Sequence, residues 1–316
     1  MRVLMISKAL VAGTSQRKLE ELAKCPGVEL TLVTPPHWQS DDGSKQVLER
    51  LYTGGYQMIV TPIRLNGNFH LHYYPRLGKI MRDVRPEVVH IDEEPYNFAT
   101  FHAMRLANKQ QAKALFFTWQ NLYRDYPPPF RQMELYNYRH AAAALAGNRD
   151  AAEVLKRKGY SGPISIIPQF GFDTDIYQRT QPRQPRAPGD PFTLGFVGRL
   201  KDNKGLDLLV AALPELPHYC RVVFIGNGPM KEQLAQQAQR LGVAESSGEI
   251  RHVIGDAGLV FQEGHVQELV ACIRQLLDDP ELYVQLAAKG RQRVLENYTQ
   301  EQIARQTYKV YQQMLV

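Results

Sequence analysis

The chain predicts an α/β fold built from two Rossmann-like halves. Three observations carry that expectation. Short apolar runs alternate with segments of helical periodicity along most of the 316 residues, the pattern of a parallel sheet covered on both faces. The length suits about two domains at ~150 residues each. A stretch rich in Pro and Arg, "QRTQPRQPRAPGDPF" (Gln178–Phe192), lacks apolar periodicity and reads as a linker between the halves.

The first half, residues 1–170, opens with "RVLMI" (Arg2–Ile6), a strand-like apolar run. A glycine-containing loop follows, then a helix pattern from Ser15 with Leu19, Leu22 and Ala23 at helical spacing. Further strand candidates are "VELTLV" (Val28–Val33), "YQMIVTPI" (Tyr56–Ile63), "EVVHI" (Glu87–Ile91), "ALFFTW" (Ala114–Trp119) and "ISIIP" (Ile164–Pro168). Among them, "PRLGKIMRDVRP" (Pro75–Pro86) sets Leu77, Ile80, Met81 and Val84 on one helical face and basic residues opposite. That is a core face with a solvated back; weak peripheral contact with an anionic membrane is the alternative. The second half, residues 171–298, offers three strands, "FTLGFVG", "CRVVFIG" and "AGLVF", with helices from Lys204 and from Pro229 to Leu241. The remainder is helical, with Pro280 and Thr299 as start signals.

Composition excludes several classes. Apolar residues make up 44% and charged residues 22%, an ordinary globular balance rather than a disordered or fibrous one. No apolar run reaches the ~18–20 residues that span a bilayer. The start, "MRVLMISKAL", has too short an apolar stretch for a signal peptide and no small-residue cleavage site. Cys25, Cys220 and Cys272 are scattered without metal or redox spacing, which fits a reducing cytoplasm. The net charge of +6 favours phosphates or anionic lipid as partners and says nothing about fold. Charge alone gives no case for nucleic acid, since no basic–aromatic motif accompanies it.

Several motifs place chemistry at strand ends. In "GFVGRLKDNKGLDLLV", Gly198, Arg199 and Lys204 leave a strand's carboxyl end just before a helix start, where backbone N–H groups and two cations suit a diphosphate. A solvated basic turn is the plain alternative. "VVFIGNGPMKEQL" sets Gly226 and Gly228 at a second strand-to-helix turn, but Lys231 stands where a dinucleotide fingerprint needs its third glycine. An NAD enzyme is therefore a poor fit, and a tight turn without ligand explains the glycines equally well. Gly13 lies between the first strand and helix, where a bare backbone permits close approach of a substrate. "VVHIDEEPYNF" ends a strand with His90, Asp92, Glu93 and Glu94, candidate substrate ligands or acid–base groups that also fit helix caps. "FFTWQNLYRDYPPPF", with Trp119 and Gln120, could line a sugar or lipid groove or simply pack a loop. The Asp-x-Asp of "FDTDIY", Asp173 and Asp175, reads as turn chemistry and not as a metal site.

Together, the glycine loop of residues 1–22, "IPQFGFD", "FVGRLKDNKGLDLL", "IGNGPMKEQL", "IGDAGLVF" and the closing helices resemble, in order, the retaining glycosyltransferases of the GT-B fold, group 1. The resemblance implies a nucleotide-sugar donor on the second half, a saccharide or lipid-linked acceptor on the first, and a last helix, 299–316, returning to the first half. It implies that Arg199 and Lys204 hold the donor diphosphate and stabilise its growing charge. Gly13, Gly198, Gly226 and Gly228 then border the diphosphate or nucleotide, and His90, Glu94, Trp119 and Gln120 line the acceptor side. The diphosphate itself takes the acceptor's proton, so neither metal nor cofactor is expected.

One stretch departs from the family pattern. Between "RLGV" and "SSGEIRHVIGDAGLVF" the family carries roughly two more βα units, about 60 residues, including two glutamates eight positions apart. Glu245 and Glu249 do not match that pair. The sequence thus predicts an internal deletion near 243–248 and a donor pocket without its acidic motif. A non-catalytic remnant or acceptor-binding module is the alternative to an active hexosyltransferase; another nucleotide-dependent enzyme is the third reading.

Overall fold

The computed structural model describes residues 1–39, 43–178, 184–187, 189–198, 200–201, 204–226, 228–234, 256–262 and 264–316. Arg199, residues 243–248 with the proposed junction, and the glutamates at 245 and 249 lie outside the described residues. Two compact units emerge, one of Met1–Gln178 with Glu296–Val316, the other of Arg179–Leu295.

The first unit is a doubly wound sheet. Its elements are β1 (Arg2–Ile6), α1 (Arg17–Ala23), β2 (Glu29–Thr34), a hairpin of β3 (His37–Gln39) and β4 (Lys45–Val47), β5 (Gln57–Val60), α2 (Leu77–Val84), β6 (Val88–Ile91), α3 (Phe98–Lys109), β7 (Lys113–Thr118), α4 (Phe130–His140), β8 (Ala143–Ala146), α5 (Arg149–Arg157) and β9 (Ile164–Ile166). Seven strands pair in the order β5-β2-β1-β6-β7-β8-β9, and every ladder among them is parallel. Burial on both faces makes the central strands continuous apolar runs rather than alternating ones: β6 is buried at all four positions.

Side-chain alternation splits the core in two. Leu4, Ile6, Val89, Ile91 and Phe116 pack with Leu77, Met81, Ala103 and Met104 of α2 and α3 on one face. Val3, Met5, Leu32, Leu115 and Leu145 pack on the other face with Leu19 and Leu22 of α1 and with the last helix. That helix, Gln300–Leu315, contributes Ile303, Val310 and Tyr311. Thr299 caps it by accepting from the Gln302 amide at 3.1 Å, and Phe172 binds the preceding residue through its own amide, donating to the Tyr298 carbonyl at 2.7 Å.

The second unit has β10 (Phe192–Val197) and β11 (Cys220–Ile225), parallel and in register from Phe192–Cys220 to Val197–Ile225. Helices α6 (Leu206–Ala212), α7 (Val266–Asp278) and α8 (Pro280–Asn297) follow, and Gln300–Leu315 is α9 in this numbering. One sheet face is covered: Phe196 and Phe224 pack toward Leu206, Val210 and Met230. Among the described residues nothing covers the other, with Val197 76% and Ile225 57% exposed. The expected third strand, "AGLVF", is a bend followed by irregular chain. A short apolar run forms a strand only where a neighbour satisfies its backbone groups.

Candidate functional site

The strand order reverses between β1 and β6, and the carboxyl ends on either side of such a reversal leave a crevice where open α/β sheets bind ligands. Lys8 leaves β1 there and Glu93 leaves β6. Their side chains form an ion pair, the Lys8 ammonium 12% and the Glu93 carboxylate 1% exposed. His72 Nε2 stands 3.5 Å from the same carboxylate, itself fully buried. The Lys8 ammonium also lies 5.2 Å from the Trp38 ring centroid and 4.8 Å from that of Phe69, an aromatic seat for a cation. Burial alone would raise the Glu93 pKa, but Lys8 and His72 outweigh it and lower it to about 2.

Glu94, the next residue, behaves oppositely. Its carboxylate accepts from the Thr118 hydroxyl at 2.5 Å and the Trp119 amide at 2.8 Å. Burial still dominates and raises its pKa to about 7, these two hydrogen bonds offsetting only part of the rise. Two adjacent acids with divergent pKa values sit at the carboxyl edge, one fixed as an anion and one poised to exchange a proton near neutrality.

Trp119 follows β7 and is 43% exposed. Its indole N–H donates to Gln169 Oε1 at 2.8 Å, and its ring lies where a side chain on Gly147 would be, 2.3 Å from the Cβ position. Gln120 accepts from the Lys158 ammonium at 3.3 Å, while its own Nε2 is buried without a hydrogen-bond partner. Lys158 is in turn paired with Glu134, both side chains 0% exposed. Its ammonium lies 4.6 Å from the Tyr126 ring centroid, and Tyr126 stacks on Tyr96 with centroids 4.1 Å apart. Glu94, Trp119 and Gln120 thus share one edge of the sheet.

His90 does not belong with them. It sits within β6 at 0% exposure, its Nδ1 2.6 Å from the Tyr311 hydroxyl of α9. Burial, with Lys18 nearby, holds its pKa well below the usual value. The alternation of a strand explains the correction: His90 shares the Val88 side, which faces α1 and α9, and never reaches the carboxyl edge. Asp173 and Asp175 act as turn residues, Asp173 Oδ1 accepting the Asp175 amide at 2.9 Å and Oδ2 the Tyr52 hydroxyl at 2.8 Å.

The glycines have structural duties of their own. A Cβ on Gly226 would lie 1.8 Å from the Gly198 carbonyl oxygen, and one on Gly228 would lie 2.2 Å from that of Leu200. The two strand-end turns of the second unit therefore touch backbone to backbone. Lys204 is exposed and precedes Gly205, whose φ of 64° starts the seven-residue α6. Gly13 is buried, and its amide donates to Glu49 Oε2 at 2.7 Å.

Sequence reasoning missed Lys8, Trp38, His72, Glu134 and Lys158. For Lys8 a signal existed: a cation two residues past a buried strand's carboxyl end. The others come from distant loops and helices, and nothing local marks them.

Among the described residues no helix is long and apolar enough to cross a membrane. A family model described as "Glycosyltransferase Family 4" matches residues 17–175, and one described as "Glycosyl transferases group 1" matches residues 178–248. A GDP-mannose-dependent alpha-(1-6)-phosphatidylinositol monomannoside mannosyltransferase of Mycolicibacterium smegmatis is 33% identical over 33% of the chain. A glycogen synthase of Alkalilimnicola ehrlichii is 33% identical over 32% of it. The matched stretches span 28% and 18% of those relatives' lengths. Among solved structures, sucrose-phosphate synthase from Thermosynechococcus elongatus superposes with a TM-score of 0.70 at 15% identity, covering 100% of this chain and 99% of that one. The E. coli structure described as "Trehalose-6-phosphate … bound with UDP-2-fluoro glucose" gives 0.62 at 12%, with 100% and 99% covered. UDP-GlcNAc 2-epimerase from Neisseria meningitidis, bound to UDP-GlcNAc, gives 0.55 at 11%, with 99% and 100% covered. At such identities the likeness shows the fold, which transferases and epimerases share.

Proposed function

The chain belongs to glycosyltransferase family 4, and from that membership we propose that it moves a hexose from a nucleotide-sugar donor to a saccharide or lipid-linked acceptor with retention of configuration. The observation that carries this reading is the carboxyl edge of the first unit. There Glu94, raised to about 7, shares one rim with Trp119 and Gln120, beside the Lys8–Glu93 ion pair. Trp119 offers an exposed aromatic face for the apolar side of a sugar. The unpartnered Gln120 Nε2 offers a donor for a hydroxyl, and Glu94, held by Thr118 and Trp119, offers it a hydrogen-bond partner.

On this reading Arg199 and Lys204 hold the donor diphosphate, with Gly198, Gly226 and Gly228 at its borders, and the Gly13 loop of the first unit is a phosphate-facing loop. The bond from the anomeric carbon to the diphosphate breaks as the acceptor oxygen attacks the same face. The leaving diphosphate takes the acceptor's proton, and the cations stabilise the charge that grows on it. The chemistry asks for no metal and no resident cofactor. The basic back of α2 supplies weak peripheral attraction to an anionic membrane, and the scattered cysteines suit a cytoplasmic setting.

A second reading rests on the face of the β10–β11 sheet that is uncovered among the described residues. Parallel sheets are normally covered on both sides, and an uncovered one fits the missing βα units expected near 243–248. With the acidic motif absent, the chain is then a non-catalytic acceptor-binding module. Calorimetric titration with UDP, GDP and ADP, followed by a donor-hydrolysis assay, separates the two. Binding with turnover supports the transferase. No binding to any nucleotide sinks it and leaves the module.

A further inference from the structure

A strap of residues 48–52 lies across the loop that follows β1. The Glu49 amide donates to the Val11 carbonyl at 2.9 Å and the Leu48 amide to that of Pro36 at 3.0 Å. Gln16, fully buried, ties strap to loop from beneath. Its Nε2 donates to the carbonyls of Leu10 and Glu49, at 2.9 and 2.7 Å, and its Oε1 accepts the Leu51 amide at 3.3 Å. Above this brace the Glu49 side chain turns onto Gly13, whose amide donates to Oε2 at 2.7 Å. A Cβ on Gly13 would lie 2.5 Å from Leu51 Cγ and 2.9 Å from Glu49 Oε2. The space a side chain would need is therefore filled by the chain's own strap.

A carboxylate oxygen and a phosphate oxygen make the same demand on an amide, a short charge-assisted hydrogen bond. One N–H satisfies one such partner well. We propose that Glu49 is a built-in anion that occupies the Gly13 amide, and that a diphosphate takes this amide only by displacing it. The inference rests on the reading of the Gly13 loop as a phosphate-facing loop. Glu49 is exposed, and release of its carboxylate from the Gly13 amide removes one of the bonds that hold the strap on the loop, so the strap loosens. Because it is tethered, it competes at high effective concentration. A neutral sugar gains nothing by replacing a carboxylate there, whereas a multiply charged diphosphate does. The strap thus selects for the phosphorylated part of a ligand.

The test uses the full chain, with E49A and E49Q beside the wild type. Inorganic pyrophosphate, UDP and GDP are titrated calorimetrically. Amide hydrogen exchange is followed with and without saturating pyrophosphate. E49A is expected to bind pyrophosphate about tenfold more tightly, the worth of one charge-assisted bond no longer broken, with E49Q between the two. In the wild type, pyrophosphate is expected to speed exchange at the Glu49 and Leu51 amides as the strap loosens. Equal affinity for E49A and wild type overturns the proposal and leaves the loop reading standing. Tighter binding with unchanged strap exchange also overturns it, since removal of one negative charge then explains the gain. If none of the three proteins binds any of these anions, the loop reading fails and the proposal falls with it.

Discussion

Glu93 and Glu94 are neighbours of the same chemistry, and the structure gives them opposite behaviour. Glu93, lowered to about 2, adds stability above the ordinary carboxylate value, and that stability is lost as pH falls toward 2. Glu94, raised to about 7, does the reverse: stability is intact below about 4.5 and drains away as pH rises from there to 7. Glu94→Gln is expected to remove that loss, gaining about 1–3 kcal/mol over wild type at pH 8 and little at pH 4.5. Urea midpoints at the two pH values measure it; a gain of equal size at both contradicts the assignment. Lys8→Met strands a buried carboxylate and is expected to cost about 3–5 kcal/mol, most of it recovered in the Lys8→Met/Glu93→Gln double variant. Denaturant unfolding of the three variants checks it. The sequence flags the acids of "HIDEEP" as a group. It does not say which is paired, because the partners Lys8, His72 and Thr118 arrive from three separate segments.

At the scale of elements, periodicity is legible where side chains are large and branched. β1 stands where its apolar run predicts it, β2 and β7 are each shifted by one residue, and β6 starts one residue later. β8 escapes notice: Ala143–Ala146 has no β-branched residue, and small side chains fit there only because α4 and α5 crowd one face and α9 the other. "AGLVF" errs the other way, a strand-like run left without a ladder. The last helix matters most to the first unit, since Ile303, Val310 and Tyr311 complete the core on the α1 face. Ile303→Ala is expected to cost about 3 kcal/mol and to lower the unfolding midpoint of the first unit. Calorimetry of the full chain reads this directly, and a loss under 1 kcal/mol would mean that α9 is not part of that core.

For the whole molecule the two units contrast. The first has seven strands covered on both faces; among the described residues the second has two strands covered on one. Exposed Val197 and Ile225 on a parallel sheet are an association hazard. Val197→Thr with Ile225→Thr is expected to leave the melting temperature within about 2 °C while reducing light scattering and hydrophobic-dye binding. If both stay unchanged, that face is already covered in solution. On the proposed reading of a deletion, a form with two further βα units inserted near 243–248 is expected to transfer or hydrolyse a nucleotide-sugar faster than the 316-residue form; equal turnover removes the case for a deletion.

Motif order alone carries the ancestry. Strand and helix periods and the glycine-bearing turns follow one another in family order, and local patterns of this kind survive in one dimension. The expectation of a shortage in the second half rests likewise on strands counted along the chain. Which side chains meet is another matter. His90 turns into the core beside Tyr311, Gln120 meets Lys158, and Glu49 meets Gly13, all through contacts between segments far apart in sequence. Burial and partner choice set every pKa at the carboxyl edge, and both are properties of the packed fold, so no local pattern reveals them.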